Sequence, residues 1–243
     1  MRTAVVFKWA RDPQDARINM DDELVWGNAK LSPSADDPAV INVAHAISPE
    51  EDIVAITIGD GDNAWAAARG AASTFIVEDA ADCLDASRTA SLLAGAISEA
   101  GGADVVIIGD SEWNKGVPVA LMALMNYKAF AGVTSVEQAG DSFRVHCKNG
   151  PITKVIEAKP PFLLSVRGLT TEKAAPSMKQ VLAARKKPQT KLSSESLPKV
   201  RDVHVVEGSA SLPESGTVTM IDASDVGEAA RKLVEILKSE NIL

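Results

Sequence analysis

By residue type, three histidines, two cysteines and a few polar loops are where this chain could do chemistry. General-base or nucleophilic catalysis needs such groups within hydrogen-bond reach of one another. His45 falls in a predicted helix, His146 in a predicted strand and His204 in a polar tail, and none stands in a recognised motif with serine or cysteine. Each is read as structural or solvent-facing. Cys83 and Cys147 are far apart, without metal-type spacing, and read as free thiols of a reduced chain. The acidic turn "GDGDN" (Gly59–Asn63) lacks the spacing and closing glutamate of a calcium loop, and it is not a P-loop. It reads as a strand-to-helix turn capped by Asp60 or Asp62.

The remaining loop is "GDSEWNKG", Gly109–Gly116. Lys115 and Gly116 stand at the start of a predicted helix, where backbone N–H groups suit a phosphate. Ser111 and Asn114 supply hydrogen-bond donors. Against a phosphate, Glu112 adds negative charge, Trp113 adds bulk and Pro118 removes one N–H from the first turn.

Alternating strands and helices must position these loops. "TAVVFKW" (Thr3–Trp9), "DIVAITIG" (Asp52–Gly59), "STFIVED" and "ADVVIIGD" (Ala103–Asp110) are apolar runs that read as buried strands. Between them lie "SADDPAVINVAHAI", with Asp36 at or near the N-cap and Pro38 in the first turn, then "DGDNAWAAARGAA" and "ASRTASLLAGAISEAGG". "KGVPVALMALMNY" follows as a further helix. Strands apolar on both faces, alternating with helices, predict a parallel doubly wound sheet covered on both sides. Ligands in such sheets sit beyond the carboxyl ends of the strands. Here those ends are Lys8–Asp12, Gly59–Asn63 and Gly109–Gly116. Two extended pieces around "MDDE" suggest a surface hairpin, and residues 130–168 read as four short β-rich pieces closing the domain.

The expected organisation is an α/β nucleotide-binding-like domain over 1–168 and a C-terminal arm over 169–243. The arm holds the short helix of "APSMKQVLAARKKP" (Ala175–Pro188) and ends in an amphipathic helix. In that last helix Val226, Ala229, Ala230, Leu233, Val234 and Leu237 share a face, with Asp222 or Ser224 as the cap. Either the arm wraps back on its own domain or it reaches over another subunit. Composition sets outer limits. The chain has 243 residues, 46% hydrophobic and 4% aromatic, with net charge −8 and a pI near 5.0. That balance argues against general nucleic-acid binding. No apolar run approaches a bilayer span, and the run after Met1 breaks at Lys8, too short for a signal-peptide core. The chain is expected to be cytoplasmic and not inserted in a membrane.

Several segments, in order, resemble the β subunit of electron transfer flavoproteins, and within that family the FixA-like branch of carnitine and nitrogen-fixation operons. They are "VVFKWARDP", "AKLSPSADDPAVINVA", "ITIGDGDNAWAAARGAASTFIVED", "ADVVIIGD" and, most specifically, "APSMKQVLAARKKP". The resemblance implies an adenine nucleotide α hydrolase-like (Rossmann-like) fold with extra antiparallel strands. It implies an electron carrier with no catalytic residues and no metal, supporting an FAD held mainly by an α subunit in a heterodimer. It implies a flavin dehydrogenase as donor and a quinone reductase or other acceptor. Carried onto this chain, the nucleotide site falls at Val6, Lys8, Asp12, Gly59, Gly109, Asp110, Ser111, Asn114, Lys115 and Gly116. The dehydrogenase-docking segment falls at Met178, Lys179, Val181 and Leu182. Met178 matches the family's apolar anchor, the alternative being that it packs on its own domain. Val181 and Leu182 are expected as core.

Two places depart from the family pattern. "GDSEWNKG" is shorter than the usual phosphate loop, and "SAD" (Ser34–Asp36) replaces the usual Asn-Pro-aromatic turn. AMP in this chain is therefore doubtful: the site holds it by changed contacts or is empty. A second, bifurcating flavin is not expected. A different class, a stand-alone nucleotide-binding or sensor module of the same fold, has little use for the arm. A hydrolase of the related group needs a glycine-rich loop that "KWARDPQD" lacks.

Overall fold

The computed structural model describes residues 1–11, 15–21, 23–26, 30–59, 61–80, 85–110, 116–168, 175–198, 219–222, 224–240 and 242. The chain forms two compact units. One is Met1–Arg17 with Val25–Glu207, and the other is Ile18–Leu24 with Gly208–Leu243.

In chain order the elements are β1 (Thr3–Ala10), β2 (Arg17–Ile18), β3 (Leu24–Val25), β4 (Ser32–Pro33), α1 (Asp37–Ile47), β5 (Ile53–Ile58), α2 (Trp65–Ala68) and β6 (Ser73–Val77). Then come α3 (Ala86–Glu99), β7 (Val105–Gly109), α4 (Gly116–Met125), β8 (Lys128–Ala139), β9 (Ser142–Asn149), β10 (Ile152–Ala158) and β11 (Phe162–Val166). The last are α5 (Met178–Ala184), β12 (Gln189–Leu192) and α6 (Val226–Ser239).

Among the described residues the main sheet has ten strands. Nine run in the order β10-β9-β8-β11-β7-β1-β5-β6-β12, and β4 pairs antiparallel with β1. From β8 to β12 every neighbour along that path is parallel, and β8, β9 and β10 form an antiparallel meander at one edge. The winding reverses at the middle: β5 and β6 lie on one side of β1, β7 and β11 on the other. The ligand crevice of such a sheet lies beyond that reversal.

Alternate side chains of the central strands feed two apolar layers. Val5, Phe7, Ile107 and Leu164 pack under α1 with Val40, Val43, Ala44 and Ile47. Ala4, Val6, Ile56 and Val106 pack under α3 and α4 with Leu92, Leu93, Ile97 and Leu121. The chain is thus a mixed α/β protein whose large, mostly parallel sheet is covered by helices on both faces, as the alternation predicted. Two elements differ from expectation. The alanine-rich stretch after Gly59 forms only the four-residue α2, because the chain turns back and Ala71 N–H bonds Ala66 O. β11, the last of the closing β pieces, enters the sheet interior between β8 and β7 with all five residues buried.

Past Gly168 the first unit continues, so the compact body is drawn differently from a division at that residue. β12 adds to β6 as a parallel edge strand. The 3₁₀ turn Ser194–Ser196 is held by Asp79, whose carboxylate accepts from Ser193 Oγ (2.8 Å) and Ser194 N–H (2.7 Å). Leu197 is buried against the α3 layer, and Ser91 Oγ donates to Pro198 O at 2.8 Å. For residues 175–198 the wrapped-back reading of the arm therefore describes what is seen. β2 and β3 form the predicted hairpin, whose turn, Ile18–Leu24, belongs to the second unit and is closed by Asn19 Oδ1 accepting from Asp21 and Glu23 N–H. α6 is capped by Asp225, which accepts from Gly227 and Glu228 N–H. The expected caps are occupied with each other: Asp222 accepts from Ser224.

Candidate functional site

The sheet reversal brings the ends of β1, β7 and β11 together with the turn that leads into α1. Gly109 ends β7 and Gly168 follows β11, and the 34–37 turn lies directly on both. A methyl group at Gly168 would meet Ala35 O at 2.8 Å and Asp36 Oδ1 at 2.9 Å. At Gly109 it would meet Asp36 Cβ at 3.0 Å. Glycine is the residue that lets backbone approach this closely.

Three carboxylates collect there. Asp36 holds the N-cap position of α1 but makes no cap bond; it accepts instead from Gly168 N–H. The side chain expected to serve its own helix joins the two ends of the crevice. Asp37 is 3% exposed, and its Oδ2 accepts from Ser34 N–H at 2.8 Å. Burial pushes its carboxyl up to about 7; the Ser34 hydrogen bonds offset part of that rise, and the neighbouring Asp36 charge adds to it. Asp110 accepts from Ser165 Oγ (2.8 Å) and pairs with Arg167 at 3.1 Å.

Of the residues predicted for a nucleotide, Lys8, Gly59, Gly109 and Asp110 lie at the carboxyl ends of the neighbouring strands β1, β5 and β7. Val6 lies within β1 with its side chain in the α3-side core, 3% exposed, where it reaches no ligand; its apolar type in a buried strand was the signal for core. Lys8, half-buried near the end of β1, already has a partner. Gly59 makes the positive-φ turn after β5 and donates its N–H to Val77 O. Gly109, Asp110 and Gly116 lie at the β7–α4 connection. Asp12, Ser111, Asn114 and Lys115 lie outside the described residues, as do Glu112, Trp113, Asp60, Cys83 and His204.

A nucleotide phosphate needs N–H groups or cations facing it. The described part of the crevice presents carboxylates, one of them tied to the nearby Arg167. Trp9 Nε1 and Ser34 Oγ are buried there without a hydrogen-bond partner. Both are neutral donors, from which a phosphate oxygen or an uncharged group could accept. Asp36 and the Arg167-paired Asp110 oppose the phosphate of AMP or of a second flavin; the expected phosphate loop, 111–115, lies outside the described residues. Sequence reading missed Asp37, Ser165, Arg167 and Gly168; two adjacent aspartates before Pro38 were the available sign.

The other candidate surface is α5. Ser177 and Gln180 form a reciprocal capping box at its start. Val181 and Ala184 pack on Ala64, Ala67 and Ala68 around α2. Lys187 fastens the far end, its ammonium donating to Ala67 O (3.1 Å) and Ala71 O (2.9 Å). Met178 is 74% exposed and Leu182 54% exposed. Val181 is partly buried against the alanine seam, whereas Leu182, expected as core, is exposed: a seven-residue helix seated on a narrow seam buries one side only. Beside α5, a cleft of about 390 Å³ opens against α1 and the turn after α2. His45 Nε2 bonds Arg69 O at 2.7 Å on its wall, and the Arg69 guanidinium lies over the Trp65 ring. His146 faces Glu137 at 3.7 Å, and burial raises the Cys147 thiol. Neither described histidine is set against a nucleophile.

The sequence model of the electron transfer flavoprotein domain matches residues 28–197. That span takes in α1, the crevice, the parallel strands that follow β1, and α5 with its strap. Proteins with this domain are electron carriers associated with flavin. On this match and on the fold, the chain belongs to the electron transfer flavoprotein family.

Proposed function

We propose that this chain is the β, or small, subunit of a heterodimeric electron transfer flavoprotein of the FixA-like branch. An α subunit holds the FAD, which supplies the redox chemistry when bound. This chain supplies support for that subunit and a docking surface for a flavin dehydrogenase, from which electrons pass to a quinone reductase or another acceptor. Within the arm over 169–243, residues 175–198 strap back on the nucleotide-binding-like body and carry the docking helix, and the terminal helix lies against the α subunit. AMP is not expected in this chain, whose phosphate loop is short and whose described crevice holds the carboxylates of Asp36 and Asp110. Among the described residues no helix is long and apolar enough to cross a membrane. The carrier works in the cytoplasm.

The observation that carries the reading is the two-sided character of α5. One side is fastened by Val181, Ala184 and Lys187, and the other displays Met178 and Leu182. An exposed, unbranched, polarizable side chain on a fixed element adapts to a partner's pocket, and such apolar anchors carry much of an interface's energy. The test is Met178→Ala in the assembled complex. Electron transfer from the dehydrogenase is expected to slow at least tenfold, with flavin content and melting temperature unchanged. Normal transfer with a lowered melting temperature would make Met178 a packing residue and remove the docking role.

A further inference from the structure

α5 rests on the body along one side only. Val181 and Ala184 lie on the alanine seam of α2, and the cleft of about 390 Å³ opens between α5 and α1. Among the described residues, nothing from 175 to 186 hydrogen-bonds the rest of the unit. The Ser177–Gln180 capping box is internal to the helix. The first polar attachment is Lys187. Pro188 O follows at once, accepting from Thr74 N–H at 3.0 Å, and then β12. α5 is therefore a short lever fastened at its C-terminal end, with the exposed Met178 at the other. A seven-residue helix is about 10 Å long, so a tilt of about 10° at the fastened end moves Met178 by about 2 Å.

What Lys187 grips is itself braced. Its half-buried side chain ends in an ammonium that bridges Ala67 O and Ala71 O across the turn ending α2. Among the described residues it makes no ion pair. In the same turn His45, from α1, donates Nε2–H to Arg69 O at 2.7 Å. A methyl group at Gly70 would meet His45 Nε2 at 2.7 Å. The Arg69 guanidinium donates to Trp65 O at 3.2 Å and lies over the Trp65 ring. The turn is thus held from α1 and from α2, and Lys187 couples α5 to it. Two directed, charge-assisted bonds from one ammonium fix an angle, which apolar contact with alanines does not.

We propose that Lys187 is a positioning residue for electron transfer: it sets the pitch of α5 through the turn braced by His45, so that Met178 is aimed before a partner arrives. This rests on the docking reading of α5. The effect is geometric and does not need the charge of Lys187 to reach the partner. Aiming an anchor in advance lowers the ordering cost of docking and leaves the redox step untouched. The dehydrogenase concentration that half-saturates transfer should therefore depend on Lys187, and the limiting rate should not.

The experiment uses the assembled flavoprotein and the purified flavin dehydrogenase that reduces it fastest in a panel. Stopped-flow reduction and amide hydrogen exchange are measured for wild type, Lys187→Met, Lys187→Arg, His45→Leu and Met178→Ala. Ile97→Val, a core change in the α3 layer on the other face of the sheet, is the stability control. A helix this short does not persist in water without attachment. Lys187→Met is expected to speed exchange of the Val181–Ala184 amides about tenfold. It is expected to raise the half-saturating concentration about fivefold or more, with the limiting rate kept. The shift should persist at about 0.5 M salt, where steering between exposed charges is screened. Lys187→Arg keeps donors for both carbonyls and should move both readouts most of the way back. His45→Leu should shift both in the same direction by less. Ile97→Val should lower the melting temperature and move neither.

Unchanged exchange and unchanged saturation in Lys187→Met overturn the proposal. A shift that Ile97→Val reproduces at an equal loss of melting temperature also overturns it and makes Lys187 an ordinary contributor to stability. A shift that vanishes at high salt overturns it in favour of a surface charge. If Met178→Ala slows transfer while Lys187→Met does not alter it, the tether falls and the docking helix stands. If exchange quickens in Lys187→Met but neither variant alters transfer, α5 is not the docking surface and both readings fall.

Discussion

The crevice beyond β7 and the outer side of α5 belong to one compact unit and are built in opposite ways. At the crevice the chain turns its polar groups on itself: Asp36 takes the Gly168 N–H, Asp37 is buried over Ser34, and Asp110 is held by Ser165 and Arg167. At α5 the internal contacts lie underneath, and the apolar Met178 and Leu182 are exposed on the other side. The crevice has the topology of a nucleotide site, but its described carboxylates are engaged within the chain. The α5 segment, which carries the most specific resemblance in the sequence, has one side seated on α2 and the other exposed. Position in a fold therefore assigns a role only once the charges there are known.

The largest expected effect tests whether α5's support is part of the body. Truncation after Lys187 removes β12 and the buried Leu197, and the shortened chain is expected not to fold stably. Leu197→Ala alone should cost about 2–4 kcal/mol in a denaturant melt. A truncated chain with a native melting temperature would mean that the strap adds nothing, and that the arm begins earlier than the contacts indicate.

The next sharpens the contrast in charge. Asp37 holds a proton in the folded state up to about pH 7 that the unfolded chain releases near its ordinary value of 3.8. The stability tied to that proton is complete below pH 3.8 and is lost as pH rises toward 7 and above. Asp37→Asn stays neutral and keeps an acceptor for Ser34 N–H. It should gain about 2–4 kcal/mol over wild type at about pH 8 and almost nothing at about pH 4. An equal change at both pH values would remove the buried-carboxylate account.

The smallest separates two neighbours on one helix. Val181→Ala should cost about 1 kcal/mol of stability with transfer intact per folded molecule. Leu182→Ala should leave stability within about 0.5 kcal/mol and slow transfer. Exchanged outcomes would reverse the assignment of the two sides of α5.

Much of the fold was legible because its signals are local. Apolar runs such as "DIVAITIG" and "ADVVIIGD" state burial on both faces, and the short anchor helix could be read from "APSMKQVLAARKKP". What escaped depends on contacts between residues far apart in sequence. Nothing around Asp36 announces that its partner is Gly168, and Leu197 shows its burial only once β12 has paired with β6. Leu182 was misread as core because helical spacing alone fits either side; the alanines of α2 decide which side is seated. At the crevice, topology was readable but charge balance was not, because Asp37, Ser165 and Arg167 come from separate elements.

The most direct test of the account is the nucleotide content of the assembled protein. The chain is co-expressed with an α-type subunit, the complex is purified and denatured, and FAD and AMP are quantified per heterodimer. The account predicts one FAD and no AMP. A chain that forms no complex and brings down no flavin would contradict the subunit assignment, and one AMP per heterodimer would contradict the reading of the carboxylate-lined crevice.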